Sequence, residues 1–292
     1  MTSSIPSWFA HAIEQPVQSN FADVDGARIH YLTWNAHETH KPGMLLAHGF
    51  RAHARWWSLI APFFTEHFRV AALDFAGMGD SDHRKEYSSE RYVHDLVGVI
   101  EHAGLSPVTL IGHSFGGSRV VRACADFPHL IERAVVIDSF IPVPELVRRG
   151  PPPMQPRPKN VYPTYEAARA RFRLVPEHNC TESYILDYIA HHSMKQVEGG
   201  WAWKFDEHFT PHRDDPVIEA QQAEEVLKRV NVPMTLIYGE KSIVSPAPLA
   251  RAIVKRLSKG RGPIEIPESH HHVLLDQPLS LVSALRAVLS GR

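Results

Sequence analysis

The sequence predicts an α/β fold: a mostly parallel central sheet with helices on both faces and an inserted helical cap. Three observations predict it. Short apolar runs recur along the chain, of a length that suits strands buried on both faces. Stretches able to wind into helices lie between them, and strand–helix alternation is how parallel strands are joined. One strand–helix junction carries Gly112-His113-Ser114-Phe115-Gly116, a G-x-S-x-G turn in which flanking glycines leave room where a Cβ would clash.

Taken in order, residues 27–34 (ARIHYLTW) alternate polar and apolar, as an antiparallel edge strand does. Residues 44–47, 70–73, 108–111, 134–137, 234–238 and 264–266 are the short apolar runs expected in the parallel sheet. Helices are expected at about 56–66, 89–103, 116–126, 246–257 and 278–290. The alternation breaks between Ile141 and Pro216. That segment opens with IPVPELVRRGPPPMQPRPKNVYP, too rich in proline for sheet core. Helical stretches near 165–173 and 181–194 and the run Trp201-Ala202-Trp203-Lys204-Phe205 come next. Residues 1–140 and 217–292 therefore read as one core domain and 141–216 as a cap, or lid, at the ligand-binding edge of the sheet.

Composition narrows the function. The 292 residues, 43% apolar, suffice for one large domain, or one domain carrying an insertion. A net charge of −1, with no basic block beyond Arg148-Arg149, argues against a nucleic-acid partner. The N-terminal MTSSIPSWFAHAIEQPV lacks the basic start and apolar core of a secretory signal, and no apolar run is long enough to span a bilayer. Cys124 and Cys180 lie far apart and are expected as free thiols. A cytoplasmic protein with a small-molecule substrate and no membrane partner is expected; the oligomeric state is not legible.

Ser114 is a candidate nucleophile, and a serine nucleophile needs a base and a carboxylate that holds the base in its working tautomer. The late cluster Ser269-His270-His271-His272 supplies the base, since three adjacent side chains point in different directions and one can face Ser114. His271 and His272 both qualify on that ground. Adjacent histidines cannot all reach one ion in good geometry, and no Cys or carboxylate partner is evident nearby, so no metal site is expected. The acid is Asp138, after the strand that follows the Ser114 turn, or Glu240, after the strand that follows the insertion. The backbone N–H groups of Phe115 and Phe50 are the candidate oxyanion donors. His48 braces the Phe50 loop, and the glycine-rich Asp74–Ser81 stretch reads as a turn rather than a dinucleotide site. Trp56, Trp57, Trp201, Trp203, Phe205 and Phe209 are candidates to line an apolar pocket, with ordinary packing as the alternative. Arg51, Arg55 and His53 come just after the Phe50 loop. All three are candidates to hold a substrate carboxylate, Arg51 foremost, against plain surface charge.

His48-Gly49, Asp74-x-x-Gly77-x-Gly79-x-Ser81, Gly112-His113-Ser114-Phe115-Gly116-Gly117, and His271 with Asp276-Gln277-Pro278 occur in an order that resembles the α/β-hydrolase superfamily, from about residue 21 to 290. The resemblance implies His271 as the base, because the family's histidine commonly lies five residues before an acidic residue near a proline. It also exposes a departure. Many members carry the acid after the strand that follows the cap, where this chain has Ser242. The placement at Asp138 is similar to a subgroup of haloalkane dehalogenases. Those enzymes and epoxide hydrolases use an aspartate nucleophile, whereas this chain has Ser114, and the pattern looks most like serine-hydrolase-like proteins. The implied activity is hydrolysis of a small carboxylic ester through a Ser-His-Asp triad and an acyl-enzyme, with no metal or organic cofactor. Carbon–carbon bond hydrolysis, cofactor-free dioxygenation, lactone hydrolysis, and ligand binding on an inactive scaffold are the alternatives.

Overall fold

A computed structural model describes residues 5–147, 160–178, 180, 182–208 and 215–290. The chain opens with helix α1 (Ser7–Glu14) and the antiparallel pair β1 (Gln18–Val24) and β2 (Ala27–Trp34). Next come β3 (Gly43–Ala47), β4 (Arg69–Leu73), helix α2 (Ser89–His102), β5 (Val108–His113), helix α3 (Phe115–Asp126) and β6 (Ile131–Ile137). The insertion holds α4 (Tyr165–Arg169), α5 (Ser183–His192) and the hairpin β7 (Met194–Val197) and β8 (Gly200–Trp203). The chain closes with α6 (Pro216–Arg229), β9 (Met234–Gly239), α7 (Ala247–Arg256), β10 (Gly260–Ile266), α8 (Val273–Asp276) and α9 (Pro278–Ser290).

Eight strands form one sheet in the order β1-β2-β4-β3-β5-β6-β9-β10. All pairs from β4 to β10 are parallel, and β2 runs against its neighbours. Alternate residues feed two cores. Leu45, Ala47, Leu110 and Val136 face the core built with α2, α3, α6 and α7. Met44, Leu46, Ile111, Val135 and Ile137 face the core built with α1, α5, α8 and α9. Side chains alternate across a strand, so burial on both faces requires an unbroken apolar run rather than an alternating one.

The chain leaves β3 toward β4 on one side and leaves β5 toward β6 on the other. Connections that diverge from neighbouring parallel strands open a crevice at their carboxyl ends, the position where ligands bind in such sheets. The Phe50 loop and Ser114 come directly after these two strands. No helix among the described residues is long and apolar enough to cross a membrane.

Four elements differ from the sequence-based expectation. The stretch 56–66 forms two short 3₁₀ turns, Ala54–Trp57 and Ala61–Phe64, instead of an α-helix. Pro62 has no N–H to donate back, which breaks a continuous helix there. The edge of the sheet is β1, and β2 lies inside it. The strand β1 has no counterpart in the sequence pattern, because only its Ala22 and Val24 are buried. Helix α6 is likewise additional. Asp215 caps it by accepting from the Val217 N–H at 2.8 Å, and Pro216 occupies its first turn.

Candidate active site

Ser114 sits between β5 and α3 with φ 54° and ψ −117°, in the region L-residues avoid. Its N–H donates to Ile137 O at 2.9 Å, which ties the turn to β6. The glycines on either side are required by contact. A Cβ on Gly116 would lie 2.6 Å from the carbonyl oxygens of Ala47 and His48, and one on Gly112 would lie 2.7 Å from Gly116. The helix can therefore start hard against the end of β3, and Ser114 stays partly exposed while His113 and Gly116 are buried.

The structure brings Ser114, His271 and Asp138 together from three loops. His271 lies between β10 and α8. Its Nε2 is 2.9 Å from Ser114 Oγ and its Nδ1 is 2.8 Å from Asp138 Oδ1. The pattern is consistent with one neutral tautomer: Nδ1–H donates to the carboxylate, and Nε2 accepts from the serine hydroxyl. Asp138, at the end of β6 with φ 45°, is buried. Its Oδ2 accepts from the Gly239 N–H at 2.8 Å, and its Oδ1 also accepts from Ser242 Oγ at 2.6 Å. Ser242, in the loop after the neighbouring strand β9, thus supports the Asp138 carboxylate. Glu240 does not reach His271; its exposed carboxylate accepts from the Glu268 N–H at 2.8 Å.

Buried neutral histidines hold the surrounding loops. His113 donates Nε2–H to the backbone carbonyl of His271 at 2.9 Å, which fixes the loop that carries His271. Burial, then the neighbouring His271, lowers the His113 pKa to about 3. His48 donates Nδ1–H to Gly49 O at 2.6 Å and accepts from the Phe75 N–H at 3.1 Å, so it braces the turn after β3. His53, lowered to about 3 chiefly by burial, donates to Ser193 Oγ at 2.9 Å and so joins this turn to the insertion. Asp74 organises the turn after β4. It accepts from the Ala54 N–H, the Asp80 N–H and His30 Nδ1 at 2.5, 2.8 and 2.7 Å. Burial alone would raise its pKa, but the bond and charge from His30 hold it well below the usual range.

Phe115 is the first residue of α3, so its N–H is not spent on a helical bond and lies beside Ser114. The Gly116 N–H donates to His48 O at 3.1 Å and locks the two loops that carry Phe50 and Phe115 together. The two phenyl rings are 5.9 Å apart. Arg119, one turn further along α3, lays its guanidinium 3.7 Å over the Phe115 ring.

The aromatic candidates separate. Trp57 is fully buried in the core, and Trp56 is the one of the pair that reaches the loop carrying His271, 5.6 Å from the His272 ring. Trp201 packs on Tyr165, and Trp203 packs on Tyr162 and Phe172 within the insertion. Trp203 also stacks on Phe205, and the Arg51 guanidinium lies 4.6 Å over the Phe205 ring and 5.2 Å over Phe50. Arg51 therefore bridges the Phe50 loop and the insertion. Phe209 lies outside the described residues. Cys124 is buried and Cys180 half-buried, both free thiols, and burial raises both, Cys180 to about 11.

The histidine cluster differs from expectation. His270 points away from Ser114 and faces Asp276, which also takes His178 from the insertion. The single turn of α8 folds Asp276 back onto the loop, where its Oδ2 accepts from the His270 N–H at 2.8 Å. A carboxylate partner for the cluster is thus present after all, six residues beyond His270 at the end of α8.

Comparisons with known proteins agree with this architecture. A serine hydrolase-like protein from Danio rerio is 25% identical over 269 residues, covering 85% of this chain and 81% of its own length. Human epoxide hydrolase 4 is 34% identical over 116 residues, covering 39% of this chain and 32% of its own length. The crystal structure of an esterase from Mycobacterium tuberculosis superposes with a TM-score of 0.73 at 20% identity, covering 99% of this chain and all of that one. The family model described as "Alpha/beta hydrolase family" matches residues 44–285, and the chain belongs to that family.

Proposed function

We propose that this chain is a serine hydrolase that cleaves carboxylic esters of small molecules through an acyl-enzyme on Ser114. The observation that carries the reading is the hydrogen-bonded series Ser114 Oγ, His271 Nε2, His271 Nδ1, Asp138 Oδ1, at 2.9 and 2.8 Å. In the proposed reaction His271 takes the hydroxyl proton as Ser114 attacks the acyl carbonyl, and passes it to the departing alcohol. Asp138 holds the imidazole in register and stabilises the imidazolium. The N–H groups of Phe115 and Phe50 receive the developing oxyanion. Water activated by the same imidazole then releases the acid. The aspartate nucleophile of epoxide hydrolases is absent at this turn, which favours acyl chemistry over epoxide opening.

Residues 141–216 act as a cap in this reading. They enter after β6, at the carboxyl edge of the sheet. Tyr87 OH donates to Asp206 at 2.7 Å, the Asp206 N–H donates to Gly77 O at 2.7 Å, and Lys204 pairs with Asp80 at 2.8 Å. Arg51 lies over both Phe50 and Phe205, and Trp56 packs beside His272; aromatic surface there suits an ester with a small or medium apolar acyl group.

The test is a panel of p-nitrophenyl esters of increasing acyl length. Wild type should exceed Ser114→Ala by more than about 10⁴ in kcat. A folded wild type that turns over no ester in the panel contradicts the proposal.

A further inference from the structure

We propose that His178, His270 and Asp276 form a binding site for a divalent transition cation, zinc first, that fastens the insertion to the loop carrying His271. This site lies beyond the hydrolytic reading and does not depend on it. The three side chains place one ligand atom each within 4.8 Å of one another. His178 Nε2 is 2.8 Å from Asp276 Oδ1, and His270 Nδ1 is 3.5 Å from Asp276 Oδ2. Ligand atoms about 2.0–2.1 Å from a tetrahedral zinc ion stand roughly 3.3–3.4 Å apart, so small shifts would seat the ion. The His178 and His270 rings stack with centroids 4.7 Å apart and planes 19° apart, so two imidazoles flank one carboxylate from the same side.

The ligand set suits the metal. Two imidazoles and a carboxylate favour zinc, copper or nickel over magnesium and calcium, which prefer oxygen. Three protein ligands leave a fourth position for water, and His270, 39% exposed at its side chain, gives an ion a route in. His178 and Asp276 are each only 7% exposed, which limits competition from solvent. The ring nitrogen of His178 that faces away from the site has a partner, since Nδ1 lies 3.4 Å from His272 Nδ1. Metal-bound imidazoles commonly carry such a second contact, which orients the ring. Asp276 keeps its hold on the His270 N–H while binding, because a carboxylate has lone pairs to spare.

The site has a structural consequence. His178 belongs to the insertion, and His270 is the immediate neighbour of His271. An ion between them makes a cross-link across the edge of the active site that the hydrogen bond alone makes weakly.

The experiment is isothermal titration calorimetry of Zn²⁺ into the full chain after chelator treatment, with melting temperature followed in parallel. Wild type should bind one equivalent in the micromolar range or tighter and melt higher with the metal. His178→Ala and His270→Ala should each weaken that site about tenfold or more and lose the rise in melting temperature. His271→Ala should keep the site, which separates it from binding at the Ser114–His271–Asp138 series. Co²⁺ in place of Zn²⁺ should give the visible bands of a four-coordinate ion in wild type only. Absence of a zinc site in wild type, equal binding by His178→Ala, or Mg²⁺ binding as tight as Zn²⁺ overturns the proposal.

Discussion

Replacing Asp138 with asparagine changes little in size and removes the charge, and the consequence can be worked from the contacts. Asp138 Oδ2 accepts from the Gly239 N–H, while Oδ1 accepts from both Ser242 Oγ and His271 Nδ1. The amide can keep its oxygen on Gly239 only by turning its NH₂ toward His271. Nδ1 must then accept, the proton moves to Nε2, and the nitrogen facing Ser114 can no longer take a proton. The opposite orientation points the NH₂ at the Gly239 N–H and leaves that buried donor unsatisfied, at about 1–3 kcal/mol. Either way the base is lost or poorly held. The expected fall in kcat is about 10³–10⁴, or roughly 4–5.5 kcal/mol at 1.36 kcal/mol per tenfold, with KM nearly unchanged. The assay is steady-state ester hydrolysis, with melting temperature as the control for folding. Glu240→Gln should stay near wild type, because the exposed Glu240 carboxylate holds the Glu268 N–H and stands apart from His271. An Asp138→Asn variant within tenfold of wild type, alongside an inactive Glu240→Gln, would refute the reasoning.

Ser242→Ala removes the 2.6 Å bond to Asp138 and should lower kcat about tenfold with little change in KM, as measured with the same esters. The double variant Asp138→Asn/Ser242→Asp should recover at least about tenfold over Asp138→Asn alone, because Ser242 Oγ lies 2.6 Å from the same Asp138 oxygen that meets His271 Nδ1. Ser114→Gly should unfold at higher denaturant than Ser114→Ala, by about 1 kcal/mol, since alanine keeps a Cβ at φ 54° and glycine does not. Stability should fall as pH drops below about 6.5, the unfolded histidine value. His53 and His113, near 3 in the folded state, and His192, near 4, refuse the proton that the unfolded chain accepts. Urea midpoints at pH 7 and pH 4.5 check this, and an unchanged midpoint would contradict it.

The parallel strands are legible in the sequence because their burial is two-sided. Met44 and Leu46 serve one core and Leu45 and Ala47 the other, which leaves no polar position in the run. β1 and α6 are not legible in the same way. β1 buries only Ala22 and Val24, and α6 fully buries only Ala220 and Leu227, with Ala223 and Val226 partly buried, so each offers a thin apolar face made largely of small residues. The Asp215-Pro216 start of α6 is a readable signal, but it ends a segment whose prolines argue against regular structure. The Ser114 turn is legible through its glycines: the Ala47 and His48 carbonyls leave no room for a Cβ on Gly116, and Gly116 leaves none for one on Gly112. The position of Ser242 is visible as a departure from the family pattern. Its role as a donor to Asp138 depends on two strands meeting and cannot be read along the chain. His178 pairs with a residue 98 positions away, and no local pattern marks such a partner. His113 is hidden inside the motif, where its neighbour Ser114 draws the functional reading.

The central claim is that Ser114 is an activated nucleophile. Intact-mass spectrometry after treatment with a fluorophosphonate probe tests it most directly, with wild type compared with Ser114→Ala. The account predicts one adduct per chain in wild type and none in the variant. Folded wild type that takes no adduct, or a variant that is labelled as fully as wild type, would contradict it.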